Sequence, residues 1–174
     1  MEVDIKIRPA VAGDASGIEK VARRTWGSTY ADVILPENRE RLLNRFYSRA
    51  ALQRAVAQNR SWFFVAARQQ EITGFAQFIL REEEKSGELS RIYVQPEWQR
   101  VGVGGRLLAE GLAALAREGV ERILVVVEKN NIIGRSFYEK NGFRQSREFS
   151  AELPGQKLCL VEYGLEQSAG PANQ

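Results

Sequence analysis

Two stretches of the chain hold residue types that can do chemistry together. The first, SRIYVQPEWQRVGVGGRLLAEGL, runs from Ser90 to Leu112 and crowds Gly102, Gly104 and Gly105 between an apolar run and a strongly helical pattern. The first turn of a helix leaves backbone N–H groups unpaired at the positive end of the helix dipole. Glycine lets that backbone approach a ligand closely, so the junction reads as a phosphate cradle, with Arg100 and Arg106 adding charge. It is not a Walker loop, because Gly-Gly-Arg stands where Gly-Lys-Ser/Thr is needed. Nor is it the dinucleotide fingerprint G-x-G-x-x-G, because residue 107 is leucine. Taken alone, such a turn is as readily structural as functional.

The second stretch is VVVEKNNIIGRSFYEKNGF, from Val125 to Phe143. On a helix, Asn131 and Tyr138 lie two turns apart on one stripe, about 10 Å from end to end. Gly134 falls between them and is expected to leave a groove where another molecule can approach. Ile133 and Phe137, four apart, should form the apolar face toward a sheet. A helix with a notched polar face and an apolar back is built to line something.

Absences narrow the chemistry. The chain has no histidine, which removes imidazole bases, His-based triads and imidazole metal sites. Its one cysteine, Cys159, excludes an internal disulfide and a thiolate zinc site, and its apolar strand setting reads as core. No dense Asp cluster offers a carboxylate metal site, so no metal is expected. Tyr, Lys, Glu, Asp, Ser, Thr and backbone amides remain, which points to a reaction carried by a cofactor.

The 25 basic and 22 acidic residues leave a net charge of +3 and are interspersed rather than segregated. Arg39, Arg41, Arg45, Arg49 and Arg54 are broken up by acids and apolar residues, unlike the clustered face of a nucleic-acid binder. No stretch approaches the 18 apolar residues of a membrane span, and the N-terminal MEVDIKIRP lacks an apolar export core. A cytoplasmic protein is expected, with no nucleic-acid or membrane partner.

The elements that must position these residues follow from periodicity. A chain of 174 residues, 44% hydrophobic and 27% charged, can hide about 70% of its unfolded surface in one domain, here placed at 1–165 with a disordered tail at 166–174. VDIKIR (3–8) alternates as a strand, and helices follow from Gly13 to about Thr25, from Pro36 through PENRERLLNRFY, and over 50–58. SWFFVAAR (61–68) and ITGFAQFIL (72–80) read as a hairpin, followed by a strand at 89–94 and a helix over Val103–Glu118 capped near Gly119. ILVVV (123–127) has the continuous apolar run of a central strand. A helix at 132–140 and a hairpin of 143–151 with 157–165 around Pro154-Gly155 complete an α+β chain, loosely α/β, with helices layered on a mixed sheet.

The pairing of Gln99-x-x-Gly102-x-Gly104 with Asn131-x-x-Gly134-x-x-Phe137-Tyr138-x-x-x-Gly142-Phe143 resembles the GNAT superfamily of acyl-CoA-dependent N-acetyltransferases. The likeness in element order covers 3–165. It departs from the family pattern at Gly134, where alanine is usual, a change that weakens a helix by about 1 kcal/mol. The resemblance implies a mostly antiparallel, splayed sheet of about seven strands with helices on both faces. Acetyl-CoA would lie between the strands at 89–94 and 123–127. Ile92, Tyr93 and Val94 would pair with the pantetheine arm, and the amides of Gln99, Arg100, Val101, Gly102, Val103, Gly104 and Gly105 would hold the diphosphate. Asn131 would hydrogen-bond the cofactor and Tyr138 would sit beside its sulfur.

The implied reaction is acetyl transfer to a primary amine by direct attack in a ternary complex. An alkylammonium with pKa near 10.4 costs roughly 4.6 kcal/mol to deprotonate at neutral pH. Glu88 is the candidate base, directly or through water, although a solvated hairpin charge explains it as well. Tyr138 is the candidate acid for the thiolate, and the Val94 N–H the oxyanion donor. Trp26 and Tyr30 fall in the region that contacts acceptors in this family, though core packing accounts for aromatics there too. TWGSTYADVILPE is similar to polyamine and protein acetyltransferase branches, and Glu82, Glu83 and Glu84 would attract a polyamine. The acceptor is therefore a small-molecule or protein amine, and a homodimer is compatible with this reading. A non-catalytic acyl-CoA sensor using the same cleft is the competing reading.

Overall fold

The computed structural model describes residues 4–81 and 85–168. In chain order the elements are β1 (Lys6–Pro9), α1 (Ala15–Thr29), α2 (Pro36–Tyr47), α3 (Arg49–Val56), β2 (Ser61–Arg68), β3 (Glu71–Arg81) and β4 (Ser86–Val94). Then come α4 (Val103–Arg117), β5 (Arg122–Glu128), α5 (Ile132–Lys140), β6 (Arg144–Leu153) and β7 (Gln156–Glu166). The seven strands form one sheet in the order β1-β2-β3-β4-β5-β7-β6. Every pairing is antiparallel except β4 with β5. This is the mixed, mostly antiparallel α+β sheet expected from the sequence.

Alternation along the buried strands sends side chains to two separate cores. Phe63, Val65 and Ala67 of β2 meet Ile18, Val21, Ala22 and Leu52 of α1 and α3 on one face. Phe64 and Ala66 meet Leu107, Leu108 and Leu115 of α4 on the other. The apolar run of β5 is buried on one face only, where Ile123, Val125 and Val127 join the core under α4. Leu124 is partly buried and Val126 exposed, because among the described residues no helix covers that side and β4 flanks the strand for just three residues.

Local chemistry sets the boundaries. Ser48 ends α2 and caps α3, its hydroxyl accepting from Ala51 N at 3.3 Å, so two short helices form instead of one. Pro154 and Gly155, with φ +72° at the glycine, make the tight turn between β6 and β7. Gly119, φ +77°, follows the last residue of α4 in the left-handed conformation that helix ends favour. The first helix runs four residues past the expected Thr25, through Gly27, because Trp26 is anchored in the core. Pro9 joins β1, one residue past the expected end at Arg8, as an edge strand permits.

The acidic tip at Glu82, Glu83 and Glu84 lies outside the described residues, as does the expected tail from 169 onward. Glu166 closes β7, and the Gln167 backbone N–H donates to Glu121 O at 2.8 Å. Cys159 is only partly buried, with Sγ 3.9 Å from Glu148 Oε2, so it is not the core residue that its apolar neighbours implied.

One glycine fixes how closely α4 lies on the sheet. A Cβ at Gly111 would stand 2.0 Å from Cε2 of Phe78, a ring buried in the sheet. Gly111→Ala should gain about 1 kcal/mol of helix propensity yet lose about 1–3 kcal/mol to overpacking. Urea denaturation is expected to show net destabilisation, and a stabilised variant would overturn this account of the contact.

Candidate active site

The site begins where the sheet comes apart. β4 and β5 pair for three residues only, Ser86 with Arg122, Gly87 with Ile123 and Glu88 with Leu124. Beyond that point β4 stays on β3 and β5 stays on β7, and a register shift opposite Gln77 and Phe78 bends β4 away. The gap opens toward the carboxyl ends of both strands.

Gln95 donates its backbone N–H to Thr73 O at 2.9 Å. Antiparallel alternation then commits the Tyr93 backbone to β3 and turns the polar groups of Ile92 and Val94 toward the gap. The Ile92 and Val94 side chains pack toward α4, whereas Tyr93 lies in the opposite core. Tyr93 therefore reaches the site with its ring and not with its main chain.

At the mouth of the gap α4 begins without a cap. Gly102 is its N-cap residue, with φ +86° and no capping side chain, and the first helical bond is Arg106 N to Gly102 O at 3.1 Å. The N–H groups of Val103, Gly104 and Gly105 are thus left unspent by the helix. A Cβ at Gly102 or Gly105 would meet nothing within 4 Å, so both face open space. Gly104 has another reason, since its Cβ would sit 3.1 Å from the Phe137 ring, where α5 crosses α4. Arg100 holds φ +61° in the turn, Val101 is exposed, and the Gln99 side chain folds back to donate to Val94 O at 3.0 Å. An uncapped helix start beside unpaired strand groups fits a ligand with a diphosphate and an extended polar arm.

Across the gap, Asn131 is the N-cap of α5 and not a residue within the helix. Its Oδ1 accepts from Gly134 N at 2.9 Å and its Nδ2 donates to the Tyr30 hydroxyl at 3.3 Å. The expected groove at Gly134 does not exist. A Cβ there would lie 2.8 Å from Asn131 Nδ2, so the side chain of Asn131 fills the space that the missing methyl leaves. Ile133 does not back onto the sheet either, being 65% exposed in the first turn of α5, while Phe137 does pack against the α4 core.

Tyr138 is buried, its ring 5.7 Å from those of Phe137 and Phe143 and 6.1 Å from Tyr163. Trp26 stacks edge-on against Tyr30 at 4.9 Å and Tyr47 at 5.6 Å, both also buried. The expected acceptor residues are therefore core aromatics, of which Tyr30 also reaches the gap through its hydrogen bond with Asn131. Burial pushes the Tyr138 hydroxyl far above its ordinary pKa, and nearby Tyr30 and Tyr47 add to the shift. Burial likewise raises Tyr30, Tyr47 and Tyr93.

Two carboxylates border this region. Glu88 sits at the closed end of the gap, where Arg81 binds it with Nε at 2.9 Å and Nη2 at 2.7 Å. Along β4 it lies about 16 Å before Tyr93. Glu128, at the end of β5, is buried and accepts from Asn130 N at 2.8 Å and Asn130 Nδ2 at 3.2 Å. Sequence reasoning passed over Glu128 because the apolar run before it marked only a core strand.

Residues 23–143 match the acetyltransferase (GNAT) family. The chain belongs to that family. It is 30% identical over 146 residues to a spermidine N(1)-acetyltransferase of Thermoplasma acidophilum, covering 82% of this chain and 89% of that protein. The uncharacterized N-acetyltransferase YuaI of Bacillus subtilis is 30% identical over 169 residues, 92% of each chain. The crystal structure of the PaiA N-acetyltransferase of T. acidophilum in complex with coenzyme A aligns with a TM-score of 0.77 and 26% identity, over 91% of this chain and 98% of that one. This GNAT protein is an N-acetyltransferase with acetyl-CoA as co-substrate, and nothing in the likenesses supports a non-catalytic sensor. Among the described residues no helix is long and apolar enough to cross a membrane.

The buried phenols of this GNAT domain have a measurable consequence. Raised pKa values in the folded state mean that the unfolded chain releases these protons first, from a value near 10. Their contribution to stability is whole below about pH 10 and is lost as pH rises through the folded values. Denaturant melts from pH 8 to 11.5 should show stability falling above about pH 10, less steeply in Tyr93→Phe; a flat profile would contradict the burial of these hydroxyls.

Proposed function

We propose that the gap between β4 and β5 binds acetyl-CoA along its α4 side and that a small-molecule primary amine reaches the thioester from the opposite face. The carrying observation is the coincidence of the unpaired β4 edge with the uncapped start of α4. Backbone groups of Ile92 serve the pantetheine arm, since the Val94 C=O already accepts from Gln99. The amides from Gln99 to Gly105, above all those of Val103, Gly104 and Gly105, serve the diphosphate. Asn131 has a second N–H on Nδ2 that its Tyr30 bond leaves for the cofactor.

Acetyl-CoA supplies an activated acetyl group and departs as a thiol. The Val94 N–H, turned into the gap, is the donor for the carbonyl oxygen. Tyr138 Oη holds a proton that burial keeps in place, and its O–H donates a hydrogen bond to the departing thiolate, which takes its proton from water. Glu88 takes the amine proton through water, since Arg81 occupies its carboxylate and the strand separates it from the phenols. Tyr30 and Trp26 wall the acceptor side. Support for a small-molecule acceptor comes from the relative named a spermidine acetyltransferase.

Tyr138→Phe should lower kcat on the order of 100-fold while KM for acetyl-CoA changes little. Thiol release with an amine panel measures this, and turnover within twofold of the parent would remove Tyr138 from the chemistry. Glu88→Gln should lower kcat/KM most near neutral pH and least above the amine pKa; a pH-independent loss would mark Glu88 as a strand ion pair. Gly105→Asp separates folding from binding. An acid in the first turn favours the helix by about 0.3–1 kcal/mol, yet it should repel the diphosphate. Unaltered coenzyme A affinity by calorimetry would displace the diphosphate from this turn.

A further inference from the structure

On the face of β4 turned away from α4, the fold assembles a cationic pocket from arginines that are scattered in sequence. Arg45, Arg54 and Arg91 line a surface cavity of about 400 Å³ together with Phe46 and Gln58. Among the described residues no carboxylate bridges any of the three. These three like charges share a pocket with no carboxylate between them among the described residues, an arrangement that an anionic group would complement.

Arg91 is held for such a role. Its Nε donates to Gln77 Oε1 at 2.8 Å and its Nη1 to Phe46 O at 2.9 Å. Gln77 is 1% exposed, and its own amide donates to Ser61 Oγ at 2.9 Å. The guanidinium also lies over the Tyr47 ring at 4.9 Å and the Phe63 ring at 5.7 Å. Two of its five N–H groups are thus spent on fixing it, and three remain. A planar donor fork fixed by buried Gln77 and by the Phe46 carbonyl is suited to bidentate carboxylate or phosphate recognition.

The pocket lies on the acceptor side. Arg91 and Tyr93 are alternate residues of β4, about 7 Å apart along the strand, and Tyr47 stands between them with its ring 6.2 Å from that of Tyr93. We propose that this pocket binds an anionic group, a carboxylate or a phosphate, carried by the amine acceptor, so that the preferred substrates are anionic amines and not free polyamines. The inference rests on the acetyl-transfer reading above and names the substrate class for that site.

Linear primary amines of matched length ending in a carboxylate, a phosphate, an amide or a second ammonium test it. Thiol release with acetyl-CoA and thermal shift are read in parallel. The anion-ended amines should exceed the amide at least tenfold in kcat/KM, with the diamine poorest, and the better of carboxylate and phosphate identifies the anion. In Arg45→Gln/Arg54→Gln that ratio should collapse toward one. Arg91→Lys, which keeps the charge but loses the fork, should reduce it less. The proposal is overturned if the amide or the diamine is the better substrate, if the ratio survives the double substitution, or if thermal shift does not distinguish the ends. If nothing is acetylated while the anion-ended amines still stabilise the parent and not the double variant, the pocket stands and the acetyl-transfer reading falls.

Discussion

Everything in this molecule depends on a parallel ladder that stops after three residue pairs. Glu88 and Leu124 are the last partners across β4 and β5, yet both strands continue. Each has a second neighbour that keeps it extended, β3 for one and β7 for the other. Two complete half-sheets therefore meet along a short seam, and the inner edges beyond it keep unpaired N–H and C=O groups. Such groups are costly where water is excluded, so the gap favours an extended polar ligand that pairs with them. What binds the halves across the seam is side-chain packing. α4 rests on β2, β3 and β4, while Leu107, Leu115, Ile123, Val125 and Tyr163 share one core.

Burial at the gap selects a protonation state before any substrate arrives. Tyr30, Tyr47, Tyr93 and Tyr138 occupy both cores where these approach each other, and all four hydroxyls are held in the neutral form. A chain without histidine has few groups that can present a proton at neutral pH. A desolvated phenol stays protonated and so remains a hydrogen-bond donor across the neutral range, although the same desolvation makes it a weaker acid than a free tyrosine.

Local signals were the legible ones. The hydrophobic period and the flanking Pro, Ser and Gly placed α2 at Pro36–Tyr47, β2 at Ser61–Arg68 and α5 at Ile132–Lys140, because those boundaries are set by neighbours in sequence. The glycine turn and the Asn131–Tyr138 helix were legible as a pair for the same reason. Gly134 was misread, since its space belongs to a side chain three residues back, whose rotamer periodicity does not report. The arginine pocket was invisible. Arg45 and Arg54 alternate with apolar residues in the sequence, and only the packing of α2 and α3 beside β4 brings them to Arg91. Glu128 escaped because its burial depends on the turn through Asn130.

Two helices start at the carboxyl ends of the two parallel strands, and their N-termini differ in one respect that decides the site. In α5 the side-chain Oδ1 of Asn131 already occupies the Gly134 N–H, and the Asn130 carbonyl the Ile132 N–H, so that terminus is largely satisfied internally. In α4 the cap position is a glycine in the left-handed region, with no side chain to compete. Crevices at the carboxyl ends of parallel strands are where open sheets bind ligands, and here the two termini would otherwise be equivalent. The internal cap on α5 leaves α4 as the one with amides to offer an anion. It also ties Asn131 to Tyr30, so the α5 side of the gap is the side that is braced. The asymmetry across the gap thus follows from which of two adjacent helices carries its own acceptor.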